Sequence, residues 1–124
     1  MSTLKLDTLS NKAGTASVPS DTIVSGTAKA WVNFNGTGTV DIRRAFNVSS
    51  ITDRGTGTYT VNFTNAMLDA DYAVAATSRN TSVGGVFIEA PQSVISTTAV
   101  ECDTILRGTG ALTDAHYVFI TIFS

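Results

Sequence analysis

The 124-residue chain is poor in the residues that cross-link a fold or carry acid–base chemistry. It has one cysteine, Cys102, one histidine, His116, and two prolines. A single cysteine excludes an intrachain disulfide, and we interpret Cys102 as a small apolar residue of the core. A single histidine excludes a multi-histidine metal site and any proton relay that needs two imidazoles in one chain.

Charge and long apolar runs are also scarce. Charged residues make up 15% of the chain, and the net charge is -2. Domains that bind nucleic acid cluster Lys and Arg, whereas the adjacent pair Arg43–Arg44 stands alone here, so nucleic acid is not an expected partner. No window approaches the ~18 apolar residues of a membrane helix, and residues 1–25 lack the pattern of a signal peptide. We therefore expect no membrane insertion.

Threonine and serine, with 20 and 12 copies, supply most of the polar surface. Thr is β-branched and favours strands. Between Ala30 and Phe63, alternating apolar and polar residues flank two Gly-Thr-Gly-Thr turns, at 36–39 and 55–58. This pattern predicts an all-β fold, a small antiparallel β-sandwich or jelly-roll-like domain over residues 28–124.

The alternation within this stretch also predicts the core and one irregularity. Ser49–Ser50 breaks the period of the second strand, and a bulge there would return Ile51 to the core. We expect the core to contain the large apolar residues of the first strands: Trp31, Phe34, Phe46, Tyr59, Val61, Phe63 and Tyr72.

Residues 1–27 differ from the rest, since short apolar spots lie in a Ser/Thr/Ala/Gly background without aromatics. Such a segment cannot bury enough apolar surface to offset the cost of ordering its backbone. We therefore predict an extended N-terminal arm that becomes ordered on a neighbouring subunit or partner, to which it docks as an added strand. The expected docking residues are Leu4, Leu6, Leu9, Val18 and Ile23.

The last strand is apolar on both faces, with Val118, Ile120 and Ile122 on one and Tyr117, Phe119 and Phe123 on the other. Such a strand lies between two sheets or between two subunits. We favour a subunit contact in a homo-oligomer, while a position in the centre of a sandwich remains open. The predicted interface residues are Tyr117, Phe119, Ile120 and Phe123.

The polar, glycine-bearing segment 78–85 is the best candidate for an exposed recognition loop, with Arg79, Asn80, Thr81 and Ser82 at its start. No motif in the chain points to catalysis. Asp69 and Asp71 lack the glycine and distal Glu of a calcium loop, and the Gly-Thr-Gly-Thr turns lack the Gly-Lys-Ser/Thr ending of a phosphate loop. We expect no enzyme activity, no cofactor and no metal.

Three segments resemble a module of tailed-bacteriophage virion proteins, many of them described as tail fibre proteins of phages of cyanobacteria and marine bacteria. The segments are 28–43 (AKAWVNFNGTGTVDIR), 46–63 (FNVSSITDRGTGTYTVNF) and 71–74 (DYAV), and the opening MSTLKLDTL is similar to the N-terminal arm of that group. The similarity covers about residues 1–76 and is specific over 29–63.

The resemblance implies a β-sandwich module, trimeric in a fibre, that is anchored by its N-terminus and located in the virion after synthesis in the host cytoplasm. No catalytic residue carries over. Two functions remain open: a short tail fibre or fibre tip that attaches to a host-surface glycan or protein, and a capsid decoration or cement protein. A carbohydrate-cleaving tailspike is disfavoured, because no carboxylate pair is recognisable.

Overall fold

A computed structural model describes residues 1–81 and 95–124, and the backbone of residues 86–89. Within these ranges the chain is mostly strand, which confirms the predicted all-β class. The elements are β1 (Thr8–Ser10), β2 (Ser17–Pro19), α1 (Ser20–Gly26), β3 (Ala28–Asn35), β4 (Asp41–Phe46), β5 (Val48–Gly55), β6 (Thr58–Phe63), β7 (Ala73–Arg79), β8 (Val86–Glu89), β9 (Ala99–Leu106) and β10 (Tyr117–Phe123).

Two four-stranded antiparallel sheets form the domain. The first has the order β4-β3-β10-β7, and the second has the order β5-β6-β9-β8. A separate two-stranded hairpin, β1-β2, lies in the N-terminal arm. The last strand, β10, therefore lies inside the first sheet, with β3 on one side and β7 on the other.

The core fills the space between the inner faces of the two sheets. Phe34 on β3 meets Tyr59 on β6 edge to face, with ring centroids 5.2 Å apart, and Phe63 meets Tyr72 at 5.9 Å. Five of the predicted core residues are buried, namely Phe34, Tyr59, Val61, Phe63 and Tyr72. Burial removes Cys102 from solvent as well, as expected from its small apolar side chain.

The core prediction is wrong for two aromatic residues. Trp31 is half-buried and lies outside the core cluster, and Phe46 is 55% exposed. Trp31 sits one residue from the inward-facing Ala30 and Val32, so the alternation of a strand turns it to the outer face. Phe46 is its cross-strand partner in register and shares that face.

Asn47 marks the point where the chain leaves one sheet for the other. Its φ is +54°, a left-handed conformation that Asn tolerates better than most residues. β4 ends at Phe46 in the first sheet, and β5 begins at Val48 in the second. The predicted bulge follows, since the register shifts between Val48 and Ser50, and Ile51 packs against the core.

Candidate interaction surfaces

The outer face of the first sheet carries an unusual concentration of aromatic residues. Register pairing aligns Phe46, Trp31, Thr121 and Ala75 in one row across the four strands. Asn33, Phe119 and Thr77 continue the neighbouring row from Arg44. Of the ten aromatic residues, four lie in the core, Phe87 has no described side chain, and this outer face holds the other five: Trp31, Phe46, Tyr117, Phe119 and Phe123.

This face divides into two parts along the strands. We name the part nearest the N-terminal arm the apolar half, and it comprises Trp31, Phe46, Phe119, Phe123, Ala73 and Ala75. The part at the opposite end of the strands is the arginine end, and it comprises Arg43, Arg79 and Tyr117, with Arg44 at its border in the row that it shares with Phe119. Ala28 pairs with Phe123 and Asn35 pairs with Asp41, so the two ends are about 23 Å apart along β3.

Tyr117 organises the arginine end. The guanidinium carbon of Arg43 lies 4.1 Å from the centroid of the Tyr117 ring, and that of Arg79 lies 5.8 Å from it. Phe119 is stacked beside Tyr117, with ring centroids 6.1 Å apart and planes 14° apart. Arg43 reaches Tyr117 because a register shift in β4 places it beside Arg44, opposite the Asn33–Phe34 step of β3. Arg43 and Arg79 thus both lie beside the Tyr117 ring, Arg43 the closer of the two.

Asn33 adds an unsatisfied polar atom to this face. Its side-chain oxygen Oδ1 is buried and has no hydrogen-bond partner among the residues that the structure describes. An unpaired buried acceptor costs about 1–3 kcal/mol. Among the described residues of a single chain, this acceptor in the middle of the face therefore has no hydrogen-bond donor.

The outer face of the second sheet is different, because its polar side chains bond to one another. Asn62 Nδ2 donates to Thr52 Oγ1 at 2.9 Å and to Ser50 Oγ at 3.1 Å. Arg54 Nε donates to Thr60 Oγ1 at 3.0 Å. This is a wetted sheet face, as the hydroxyl-rich alternation of β6 predicts.

The predicted interface residues separate into two groups. Tyr117, Phe119 and Phe123 are half-buried and lie on the outer face of the first sheet. Ile120 is 1% exposed and belongs to the core between the sheets, so its assignment to a subunit interface is wrong. The alternation that separates residue 119 from residue 120 is the reason.

The N-terminal arm contributes nothing to the core of the domain. Residues 1–27 include no buried residue, and helix α1 likewise buries none of its seven residues. The arm is not fully extended, since β1 and β2 form a hairpin and α1 follows directly. The predicted docking residues Leu4, Leu6, Leu9 and Ile23 are exposed, and Val18 is half-buried opposite Leu9 in the hairpin.

The arm joins the domain through a small number of polar contacts. Lys29 Nζ donates to the carbonyl oxygens of Val24 and Thr27. Val24 also lines a shallow depression together with Leu68 and Ser124. Leu68 is 91% exposed. The end of the domain at which the arm joins therefore presents apolar surface.

The loops at the opposite end of the sandwich are tied together by the Asp114 carboxylate. Its Oδ1 accepts hydrogen bonds from the Gly57 amide at 2.7 Å and from the Tyr59 hydroxyl at 2.9 Å. The Tyr59 hydroxyl also lies 2.9 Å from the Gly36 carbonyl oxygen. Burial, reinforced by the Asp114 hydrogen bond, raises the pKa of Tyr59 well above its usual value. Tyr59 therefore stays protonated and fixes both Gly-Thr-Gly-Thr turns to one point.

The predicted recognition loop begins beside this cluster. Arg79 and Thr81 are exposed, and Asn80 is half-buried with its Nδ2 donating to the Asp114 carbonyl oxygen at 2.9 Å. His116 Nδ1 lies 3.2 Å from Asn80 Oδ1 and 3.3 Å from Thr81 Oγ1. Ser82, also predicted to belong to this loop, lies outside the described residues.

These groups form no catalytic constellation. Burial raises the pKa of the Cys102 thiol to about 12, with the nearby Asp103 and Glu101 charges adding to the effect, so the thiol is not a nucleophile at neutral pH. Across the described ranges, no three His, Cys, Asp or Glu side chains come close enough together to hold a metal ion. Among the described helices, none has the length and apolar character needed to cross a membrane.

Comparison with known proteins gives no further assignment. No protein-family model, no curated protein and no solved structure matches the chain. The surfaces described above are therefore interpreted from their own chemistry.

Proposed function

We propose that the chain is a bacteriophage virion structural protein, a short tail fibre or fibre-tip-like appendage that docks by its N-terminal arm and exposes its β-domain for host attachment. The virion assignment rests on the resemblance of residues 29–63, and one observation carries the docking part: the arm holds a defined hairpin and helix while burying no residue against its own domain. An ordered segment with exposed leucines, tethered to a domain with its own core, is suited to docking on another subunit.

The outer face of the first sheet, called the aromatic face below, supports the second part of the proposal, a homo-oligomer, for which the resemblance implies a trimer. The apolar half exposes Phe46 and leaves Trp31, Phe119 and Phe123 partly accessible. Contiguous apolar surface of this kind marks protein–protein contacts in soluble proteins. In a cyclic assembly whose axis runs along the strands, with the apolar halves around it, all arms leave from one end and all arginine ends lie at the other.

A capsid decoration protein is the second candidate. The same apolar half favours it, since a flat sheet face with exposed Phe46 could rest on the subunits of a shell instead of on other copies of the chain. In that case the aromatic face and the arm would both contact the shell, and no recognition of a host surface would be needed.

Location and copy number on purified particles separate the candidates. We would count the chain by quantitative mass spectrometry against a known capsid protein and locate its density by electron cryomicroscopy. Several copies confined to the tail are expected for the attachment function, whereas hundreds spread over the capsid would favour decoration. Complete absence from purified particles of a phage that encodes the chain would overturn both.

A further inference from the structure

The arginine end has the composition of an anion-binding surface. Arg43 and Arg79 both contact the ring of Tyr117 from exposed positions, and Arg44 is exposed on the same edge strand as Arg43. Guanidinium groups held in place by an aromatic ring lose less rotational freedom when they bind a ligand than free ones do. The cluster is therefore partly organised for binding before any ligand arrives.

The described residues do not neutralise these arginines through ion pairs. Within the described part of the chain, no ion pair joins Arg43, Arg44 or Arg79 to a carboxylate, although Asp41 lies on the same strand. The whole chain carries ten acidic residues and a net charge of -2. Because no ion pair within the described residues engages these guanidinium groups, they are available to charge-assisted hydrogen bonds with an anionic partner.

The chemistry of the cluster favours separate acidic groups over a continuous phosphate backbone. Arg43 and Arg79, beside one Tyr117 ring, can bind one or two carboxylate or sulfate groups through bidentate hydrogen bonds. A long polyphosphate strand would need a basic stripe, and the described face continues away from the arginines into Phe119 and Trp31. At the arginine end itself, the Tyr117 ring beside the guanidinium groups suits a sugar that carries acidic substituents.

We propose that the arginine end binds the acidic groups of an anionic polysaccharide, with Arg43 and Arg79 on either side of Tyr117 as the charged contacts. The inference rests on the proposed attachment function and names its ligand class. The position agrees with that function, since the arginine end lies about 23 Å from the start of β3, where the arm joins.

Calorimetric titration of the purified full-length protein at low salt tests the proposal. The probes are polygalacturonate as a carboxylated polymer, heparin as a sulfated polymer, dextran as an uncharged polymer and a 20-nucleotide oligothymidylate. We expect binding to at least one acidic polysaccharide, none to dextran, and weaker binding to the oligonucleotide. Equal binding to dextran, no binding to either acidic polymer, or tightest binding to the oligonucleotide would overturn the proposal.

Charge-neutralising variants assign the site. In Arg43→Gln/Arg79→Gln the affinity should fall at least about tenfold, because two charge-assisted contacts are lost. Arg54→Gln removes a charge from the outer face of the other sheet and should change the affinity less than twofold. Unchanged affinity in the double variant, or an equal loss in Arg54→Gln, would place binding elsewhere and refute the assignment.

Two further measurements distinguish a loss of binding from a loss of folding or of particle incorporation. Thermal unfolding of each variant checks the fold, and Arg79→Gln alone, the variant with the longer ring contact, serves if the double variant unfolds early. Particles that incorporate the double variant normally while the purified protein loses polysaccharide binding support this site. Wild-type protein that is found on particles but binds neither acidic polymer overturns the inference and leaves the proposed function standing.

Discussion

Gly57 is tightly packed against backbone atoms at the loop end of the sandwich. Its φ is +71°, and a Cβ atom would lie 2.6 Å from the Thr113 amide nitrogen and 2.7 Å from the Thr104 carbonyl oxygen. Both neighbours are backbone atoms of hydrogen-bonded segments, so they cannot move aside cheaply. We expect Gly57→Ala to lower the free energy of unfolding by about 2–4 kcal/mol in a denaturant titration.

Gly38 provides the matched control for this prediction. Its φ is +65°, but no heavy atom lies within 4 Å of the position of a Cβ. Gly38→Ala therefore adds the left-handed backbone strain without the steric clash, and it should cost about 1 kcal/mol. Equal losses in the two variants would show that backbone conformation alone sets the cost and that the contacts at Gly57 are unimportant.

Individual residues also show where sequence reasoning fails and why. Tyr59, Val61 and Phe63 alternate in a strand whose other face is Thr and Asn, so their burial was predictable. Its size favours a core position for Trp31, but strand alternation turns it to the face of β3 opposite that of Phe34. Phe46 precedes the left-handed Asn47, and no feature of the sequence shows that the chain changes sheets at that residue.

At the scale of single elements, β10 presents two faces with different tasks. Ile120 packs in the core, whereas the adjacent Phe119 points to the outer face of the first sheet. Ile120→Asp would bury a carboxylate without a partner and should destabilise the fold by at least about 4 kcal/mol. Phe119→Asp should leave a folded protein and dissociate the oligomer, as read by analytical ultracentrifugation and circular dichroism.

The two variants test separate statements. Loss of folded structure in Phe119→Asp would show that this side chain supports the domain itself and not a contact between copies. A wild-type protein that sediments as a single monomeric species would contradict the proposed homo-oligomer. Folded Ile120→Asp protein would contradict the packing of β10 in the core.

The elements also differ in how far the sequence determines them. The bulge at Ser49–Ser50 follows from a local break in alternation, so it was predicted correctly. The hairpin β1-β2 was not predicted, because residues 8–19 contain few apolar residues and no regular alternation. Its turn depends instead on Asn11, whose Oδ1 accepts hydrogen bonds from the amides of Thr15 and Ala16. Arg43 and Tyr117 are far apart in sequence. Their contact could not be predicted because it depends on the order of the strands in the sheet.

At the scale of the whole molecule, we expect the stability of the domain to be independent of the arm. Residues 1–27 include no residue of the core, so deleting residues 2–26 should change the unfolding temperature by less than about 2 °C. The same deletion should abolish incorporation into particles, because the exposed leucines of the arm are the proposed docking contacts. Thermal unfolding and quantitative immunoblotting of purified particles measure the two effects independently.

Point variants distinguish docking from a general need for the arm. Leu4→Ser, Leu6→Ser and Leu9→Ser together remove the apolar contacts, while Lys5→Ser, Asp7→Ser and Lys12→Ser change the polar positions of the same stretch. We expect the leucine variant to fold normally and fail to incorporate, and the polar variant to incorporate like the wild type. If both variants incorporate fully, the particle holds this protein by its domain, and the aromatic face becomes the docking surface in place of the arm.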